Sequence, residues 1–236
     1  MSEERSILVL WDVDHTLIET RGVGAELYKA GFEEAIGVEM KQKADVTGAT
    51  EPEIFAETMR LNGLTVGVGD EDRYADALAR QYESNRKELR RRGRALPGAS
   101  EALAAVRTMA GVVQSVLTGN LKRVAEVKLE TFGLRELLDL DVAAYGEDAD
   151  DRPGLVLIAQ TAATQKYGRP YDRTNTLLIG DSQSDIRTAQ EGGAYVIGVA
   201  SGKATQEELD GAGADSTLRD LTDVTALMEE IENVLK

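Results

Sequence analysis

The chain has 236 residues, of which 42% are hydrophobic, and this length is sufficient for one large domain or two small ones with a buried core. It carries 27 basic and 42 acidic residues, and the resulting formal charge of −15 argues against nucleic acid or an anionic membrane as a partner. The absence of cysteine excludes disulfides, thiolate metal ligands and a thiol nucleophile, so we expect a cytoplasmic protein.

The first predicted element is a strand over Ile7 to Trp11, an apolar run that is typical of a buried parallel strand. The run is too short for a signal-peptide core or a membrane span. Asp12 and Asp14 follow it, at the carboxyl edge of the sheet where open α/β folds bind ligands. Two carboxylates two residues apart indicate phosphoryl or metal chemistry, although Asp is also favoured in turns that follow strands. This segment alone leaves both interpretations open.

Residues 20 to 95 contain several helical patterns and no convincing strand. Helices are predicted over Gly24 to Ile36 and over Glu51 to Leu61, where Thr50 suits the N-cap position. A third, highly charged helix is predicted around Tyr74 to Arg92. The sequence therefore predicts an all-helical insertion just after the first strand.

From Leu96 onward, predicted strands and helices alternate. The strands are predicted over Val112 to Leu117, Leu140 to Ala144, Thr176 to Ile179 and Tyr195 to Val199. The helices are predicted over Ser100 to Met109, Lys122 to Phe132, Gly154 to Tyr167 and Ile186 to Gly192. This alternation predicts an α/β fold with a doubly wound parallel sheet.

Polar segments follow three of the predicted strands. They are Asp12-Val13-Asp14-His15-Thr16, Thr118-Gly119-Asn120 and Gly180-Asp181-Ser182-Gln183-Ser184-Asp185. In order and spacing they resemble the haloacid dehalogenase-like (HAD) superfamily, whose phosphatases carry a DxD(G)T first motif, a Ser/Thr second motif, a basic third motif and a GDxxxD fourth motif. The resemblance covers nearly the whole chain.

The resemblance implies a Rossmann-like core with a helical first-position cap, as in phosphoglycolate phosphatase-like members. Residues 1–19 and 96–236 would form the core domain, and residues 20–95 the cap domain. Within the cap, the segment Thr47 to Glu51 resembles the cap loop that faces the active site in those members.

Each of the two acids in the first motif has a role that the resemblance implies. Asp12 would be the nucleophile that forms an aspartyl-phosphate. Asp14 would protonate the leaving group and then deprotonate the attacking water. Mg²⁺ is the cofactor expected for a site of few carboxylates, phosphate and water. Its ligands would be Asp12, the backbone carbonyl of Asp14 and Asp181, with Asp185 as a further ligand or as a partner of one.

Substrate binding is assigned to the second motif and to one residue of the insertion. The Thr118 hydroxyl and the backbone amides of Gly119 and Asn120 would hold the phosphate, because glycine lets the backbone come close to it. Arg21, just past the first motif, is the predicted substrate-side cation.

Two positions depart from the commonest pattern of the family. The third motif usually has lysine, whereas the matching position here is Arg152, whose forked guanidinium would clamp both nucleophile and phosphate. The alternative is that Arg152 is a surface residue and that Lys166 supplies the charge. His15, the only histidine, stands where the family usually has glycine, either with a role as a substrate contact or in tuning pH dependence, or as a tolerated loop residue that packs under the cap.

These observations predict a Mg²⁺-dependent phosphatase, monomer or homodimer, whose partner is a small phosphorylated metabolite. A phosphomutase of the β-phosphoglucomutase type is the closest alternative, because it shares every core motif and differs in how its cap excludes water. Haloacid dehalogenases need neither the second acid nor the metal, and non-catalytic relatives tend to lose the nucleophile. The sequence does not identify the substrate.

Overall fold

The computed structural model describes residues 6–45 and 48–234. The strands are β1 (Ile7–Trp11), β2 (Ile18–Glu19), β3 (Arg94–Ala95), β4 (Val112–Val116), β5 (Thr176–Gly180), β6 (Tyr195–Val199) and β7 (Ser216–Leu218). The helices are α1 (Val23–Ile36), α2 (Glu51–Leu61), α3 (Asp70–Ser84), α4 (Arg86–Arg92), α5 (Ala99–Val106), α6 (Lys122–Thr131), α7 (Gly154–Tyr167), α8 (Gln183–Gly192), α9 (Gln206–Gly211) and α10 (Val224–Val234). Within these ranges, no helix combines the length and the apolar character needed to cross a bilayer.

Five parallel strands form the central sheet, in the order β4-β1-β5-β6-β7. Side chains alternate between its two faces, as strand geometry requires. Val9 and Trp11 of β1 pack in a hydrophobic cluster with α5, α6 and α10, whereas Leu8 and Leu10 pack in a second cluster with α7, α8 and α9. Helices therefore cover both faces, which confirms the predicted α/β fold with a doubly wound parallel sheet.

Two of the predicted elements are wrong in detail. The predicted strand Leu140 to Ala144 is a 3₁₀ turn over Leu140–Val142, and Ala144 alone pairs with Leu117 as an isolated bridge. The Asp139 carboxylate caps this turn by accepting a hydrogen bond from the backbone N–H of Asp141, at 3.2 Å, which favours a turn over an extended ladder.

The predicted helix around Tyr74 to Arg92 is divided into α3 and α4. The division falls at Asn85, whose side-chain amide donates a 2.8 Å hydrogen bond back to the Gln81 carbonyl. Asparagine competes in this way for backbone groups that would otherwise continue the helix.

Helices α1 to α4 lie between the two strands of a short antiparallel ribbon, in which β2 pairs with β3. The chain thus leaves the sheet and returns at neighbouring points. These helices share a hydrophobic cluster that includes Phe32 and Phe55, and one face of α6 contributes Val124 and Val127 to the same cluster. The division into a core and a cap domain stays a prediction, since α6 also packs under the sheet through Leu129.

A cavity of about 1060 Å³ lies between helices α1 to α3 and the carboxyl edge of the sheet. The residues that follow β1, β4 and β5 line its floor, and residues of the helical insertion line its opposite wall. The fold therefore brings the three polar segments of the sequence to one side of a single cavity.

Candidate active site

Three buried carboxylates form the floor of the cavity. Asp12 follows β1, Asp181 follows β5, and Asp185 lies in the first turn of α8. One oxygen of each lies within 4.8 Å of the others. The hydroxyl of Thr16 connects two of them, with its Oγ1 at 3.4 Å from Oδ2 of Asp12 and 3.2 Å from Oδ1 of Asp181. A group of this kind can hold a metal ion.

Asp185 owes its position to the way in which α8 begins. Ser182 is the N-cap residue. Its backbone N–H donates a hydrogen bond to Oδ2 of Asp185 at 3.0 Å, and its hydroxyl donates to the same oxygen at 2.6 Å. Glycine is required just before, because a Cβ atom at Gly180 would lie 2.3 Å from Cγ of Asp185. The capping box therefore also orients an acid of the candidate site.

Arg152 is the cation that pairs with this cluster of three carboxylates. It lies just before α7, is 7% exposed, and donates from Nη2 to Oδ1 of Asp12 at 2.7 Å and to Oδ1 of Asp185 at 2.5 Å. One nitrogen thus bridges two acids, whereas we expected the fork to clamp nucleophile and phosphate. Lys166 lies elsewhere, where it pairs with Asp139 and Asp141 at a partly exposed position.

The acids are crowded, and their pKa values reflect this. Burial raises the pKa of Asp12 well above its ordinary value, and the Asp185 carboxylate raises it further, against the lowering effect of Arg152. Burial and then the Asp185 charge raise the pKa of Asp181 to about 7. Three carboxylates beside one guanidinium leave negative charge unbalanced, and the donor set of buried carboxylate oxygens fits a hard divalent cation.

Asp14 lies apart from the three carboxylates, in a hydrogen-bonded network of its own. Its Oδ2 accepts from Nζ of Lys128 at 2.6 Å and from the side-chain amide of Asn120 at 2.7 Å, and Lys128 also donates to Oδ1 of Asn120 at 2.7 Å. Burial alone would raise the pKa of Asp14, but the Lys128 ammonium and these hydrogen bonds lower it overall. The ionised form is therefore the resting form.

The second motif closes this network toward the phosphate position. The Asn120 amide donates to Oγ1 of Thr118 at 2.7 Å, which leaves the hydroxyl hydrogen of Thr118 for a ligand. Gly119 is in close contact with the helical insertion, since a Cβ atom there would lie 2.4 Å from the Ala49 carbonyl oxygen. The backbone N–H of Glu51 donates to the Gly119 carbonyl at 2.7 Å. Thr118, Gly119 and Asn120 all line the cavity.

The remaining predicted site residues lie toward the mouth of the cavity. Arg21 lines it, but its side chain is 49% exposed and pairs with Glu19 at 3.3 Å. His15 is exposed and has a positive φ of 66°, and its carbonyl accepts a 2.7 Å hydrogen bond from Ser201. Of the segment resembling a cap loop, Thr47 lies outside the described residues, whereas Ser184 donates to the Gly48 carbonyl at 2.7 Å.

Lys128, which is 3% exposed, is a residue of the candidate site that was not predicted from the sequence. A signal for it existed, because Lys128 occupies the face of α6 that also carries the buried residues Val124 and Thr131. A lysine among buried positions of a helix implies a paired charge. The partner was not predictable, since Asp14 is far away in the sequence.

A family model described as haloacid dehalogenase-like hydrolase matches residues 9–190. A curated relative, "Probable phosphatase IndB" of Dickeya dadantii (strain 3937), is 26% identical over 213 residues, which cover 87% of this chain and 86% of the relative.

Solved structures show the same fold. A predicted phosphoglycolate phosphatase from Haemophilus somnus 129PT aligns with a TM-score of 0.68 at 17% identity, covering 96% of this chain and 100% of that chain. CbbY from Rhodobacter sphaeroides, in complex with phosphate, aligns with a TM-score of 0.71 at 21% identity, covering 93% and 96% of the two chains.

Proposed function

Because the chain belongs to the haloacid dehalogenase-like hydrolase family, we propose that it is a Mg²⁺-dependent phosphatase that hydrolyses a small phosphate monoester through an aspartyl-phosphate on Asp12. The arrangement that carries this proposal is the pair of acids on separate networks. Asp12 lies in the cluster of three carboxylates and contacts Arg152, whereas Asp14 lies outside that cluster and contacts Lys128. Two acids in different environments suit two different chemical roles.

Each residue has a place in the proposed reaction. The Asp12 carboxylate attacks phosphorus, the ester P–O bond breaks, and Asp14 gives a proton to the leaving alkoxide. Water then attacks the aspartyl-phosphate while Asp14 takes its proton, and release of phosphate restores Asp12. The approach of the phosphate dianion favours uptake of the proton by Asp14 beforehand, because a nearby like charge raises the pKa of a carboxyl group.

The phosphate is held by groups around the nucleophile. Arg152 offsets the charge on Asp12, and Thr118 offers its hydroxyl hydrogen. Asp12, Asp181 and Asp185 would hold Mg²⁺, with the Asp14 backbone carbonyl as a further oxygen ligand. The bound ion would supply electrostatic stabilisation of the charge on the transferred phosphoryl oxygens.

The first test is metal dependence. We expect release of p-nitrophenol from p-nitrophenyl phosphate in the presence of Mg²⁺, loss of that release in EDTA, and recovery when Mg²⁺ is restored in excess. The reason is that the carboxylate group carries more negative charge than Arg152 offsets. Full activity in the metal-free protein would contradict the proposal.

The second test concerns Asp14. Asp14→Asn should lower turnover by about 10²- to 10⁴-fold, because it removes the general acid and base. Some aspartyl-phosphate should accumulate, since attack by water depends most on the base, and intact-protein mass spectrometry would detect it. Lys128→Met should act in the same direction more weakly, because it frees the Asp14 side chain from its cation.

The same assays distinguish the phosphomutase alternative. A phosphomutase would require a sugar bisphosphate for activity and would transfer phosphate to a sugar rather than to water. Undiminished turnover in Asp14→Asn would show instead that the general acid and base is misassigned.

A further inference from the structure

The cavity extends past the catalytic residues to a wall that the helical insertion provides. Tyr28, Lys43 and Glu51 line this wall, and none of them has a part in the proposed phosphoryl transfer. The wall faces the carboxyl edge of the sheet, where the ester bond would lie. It is therefore placed to contact the organic part of a phosphate monoester.

Glu51 is fixed on this wall by two contacts. Its side chain is buried, and the Tyr74 hydroxyl donates to Oε1 at 2.7 Å. Its backbone N–H is bound to Gly119 of the second motif. Among residues 6–45 and 48–234, Oε2 has no hydrogen-bond donor, so one oxygen of a rigidly held carboxylate remains available as an acceptor.

Lys43 is held beside it with unused donors. Its Nζ lies 3.9 Å from the centroid of the Tyr28 ring, and no described residue accepts a hydrogen bond from it. Thr58 positions both the Tyr28 ring and the segment that carries Lys43. Its Oγ1 accepts a hydrogen bond from the Tyr28 hydroxyl at 2.9 Å and one from the backbone N–H of Ala44, the residue after Lys43, at 3.1 Å. The ammonium is thus stabilised by an aromatic face while its N–H groups stay free.

The charges on this wall balance. The two buried cations that line the cavity in the described part of the chain are paired, Lys128 with Asp14 and Arg152 with Asp12 and Asp185. Lys43 and Glu51 therefore contribute one positive and one negative charge. A leaving group with an additional negative charge would attract Lys43 but would meet the buried carboxylate of Glu51, and like charges in such positions repel strongly.

Building on the phosphatase function proposed above, we propose that Lys43 and Glu51 form a leaving-group subsite for an organic group without net charge that donates a hydrogen bond to Glu51 and accepts one from Lys43. Neighbouring hydroxyls of a polyol have this chemistry, and so do the ammonium and carboxylate of an amino acid. A second phosphate or an unpaired carboxylate lacks it. The subsite thus selects monophosphates and rejects bisphosphates.

Matched substrates test this selection. O-Phospho-L-serine and 3-phosphoglycerate differ in an ammonium against a hydroxyl, so their leaving groups carry no net charge and one negative charge, respectively. We expect kcat/KM to be higher by about tenfold or more for phosphoserine or for sn-glycerol 3-phosphate than for 3-phosphoglycerate or fructose 1,6-bisphosphate. A higher kcat/KM for phosphoserine would identify the leaving group as an amino acid, and a higher kcat/KM for sn-glycerol 3-phosphate would identify it as a polyol.

Two substitutions connect the selection to these residues. Glu51→Gln should reduce the ratio of kcat/KM for phosphoserine to kcat/KM for 3-phosphoglycerate by about tenfold, because the charge that repels 3-phosphoglycerate is removed. Lys43→Met should lower kcat/KM for phosphoserine by a similar factor, since the carboxylate of the substrate loses its contact with the Lys43 ammonium. Lys41→Met, on the same segment, and Glu57→Gln, which pairs with Arg60 on α2, are the matched controls and should keep the selectivity of the wild type.

The outcomes separate the subsite from the proposed function. Absence of Mg²⁺-dependent hydrolysis of p-nitrophenyl phosphate by the wild type would refute the phosphatase itself. A wild type that hydrolyses both substrate classes equally well would overturn the subsite alone, and so would an unchanged kcat/KM for phosphoserine and for sn-glycerol 3-phosphate in Lys43→Met. Thermal unfolding midpoints check the folding of each variant, and Lys43→Met decides if Glu51→Gln does not fold, because the Lys43 side chain is only partly buried.

Discussion

Replacement of Asp12 by asparagine should abolish phosphate release, with a loss in kcat on the order of 10⁴-fold or more, as expected when a nucleophile is removed. An amide cannot form the aspartyl-phosphate. Release of phosphate from p-nitrophenyl phosphate and the mass of the intact protein after exposure to substrate would measure both effects. Full activity of Asp12→Asn would exclude this mechanism.

The same variant should be more stable than the wild type when metal is chelated. Burial and the Asp185 carboxylate raise the pKa of Asp12 in the folded protein above its unfolded value. Such an acid binds its proton more tightly when folded, so at a pH above the unfolded pKa its ionisation costs folding free energy. Asparagine removes that cost, and each kcal/mol recovered should raise the unfolding temperature by about 2–4 °C.

A variant that is inactive and yet more stable cannot owe its inactivity to misfolding. The matched control is Asp210→Asn on α9, an exposed acid outside the cavity, which should change neither quantity. A lower unfolding temperature for Asp12→Asn in EDTA would show that the carboxylates are not crowded as the structure indicates.

The sheet was predictable because its strands are buried on both faces. Such strands appear in a sequence as continuous apolar runs that end in Asp or Gly, and β1 and β5 have this form. The run from Leu140 to Ala144 is also mostly apolar, but Asp141 interrupts it and a turn capped by Asp139 replaces the ladder there. The edge strand β7 has only three residues and owes its extended form to pairing with β6, which no local pattern encodes.

The motif residues were predictable for a related reason. Asp12, Thr118 and Asp181 each follow a strand, and neighbouring parallel strands bring such residues to one edge. Contacts between distant segments left no comparable signal. The pairing of Asp14 with Lys128 joins residues 114 apart in the chain, and the approach of Lys43 and Glu51 to the cavity depends on how the helical insertion packs.

The role of Arg152 is the part of the proposed mechanism that most needs a direct test, since the family usually has lysine at this position. Its Nη2 bridges Asp12 and Asp185, so its removal leaves two buried carboxylates without a cation. We expect Arg152→Ala to raise the barrier by about 2 to 4 kcal/mol, as for other groups that stabilise charge in a closed site. The measured turnover should then fall by about a hundredfold or more.

Arg152→Lys separates charge from geometry. Lysine restores the positive charge but not the planar fork, so part of the activity should return. The alanine variant should also lose stability, because breaking a buried ion pair leaves an uncompensated charge, and Mg²⁺ in the assay should offset part of that loss. Comparison of the two variants at saturating Mg²⁺ therefore isolates the catalytic effect.

Lys166→Ala is the matched control for a lost cation. Lys166 pairs with Asp139 and Asp141 at a partly exposed position and does not line the cavity, so its removal should leave turnover within about twofold of the wild type, as surface ion pairs contribute little. If Lys166→Ala were crippled while Arg152→Ala behaved like the wild type, the third motif would be misplaced. The contacts between Arg152 and the two buried acids would then be structural, and the nucleophile would need another source of positive charge.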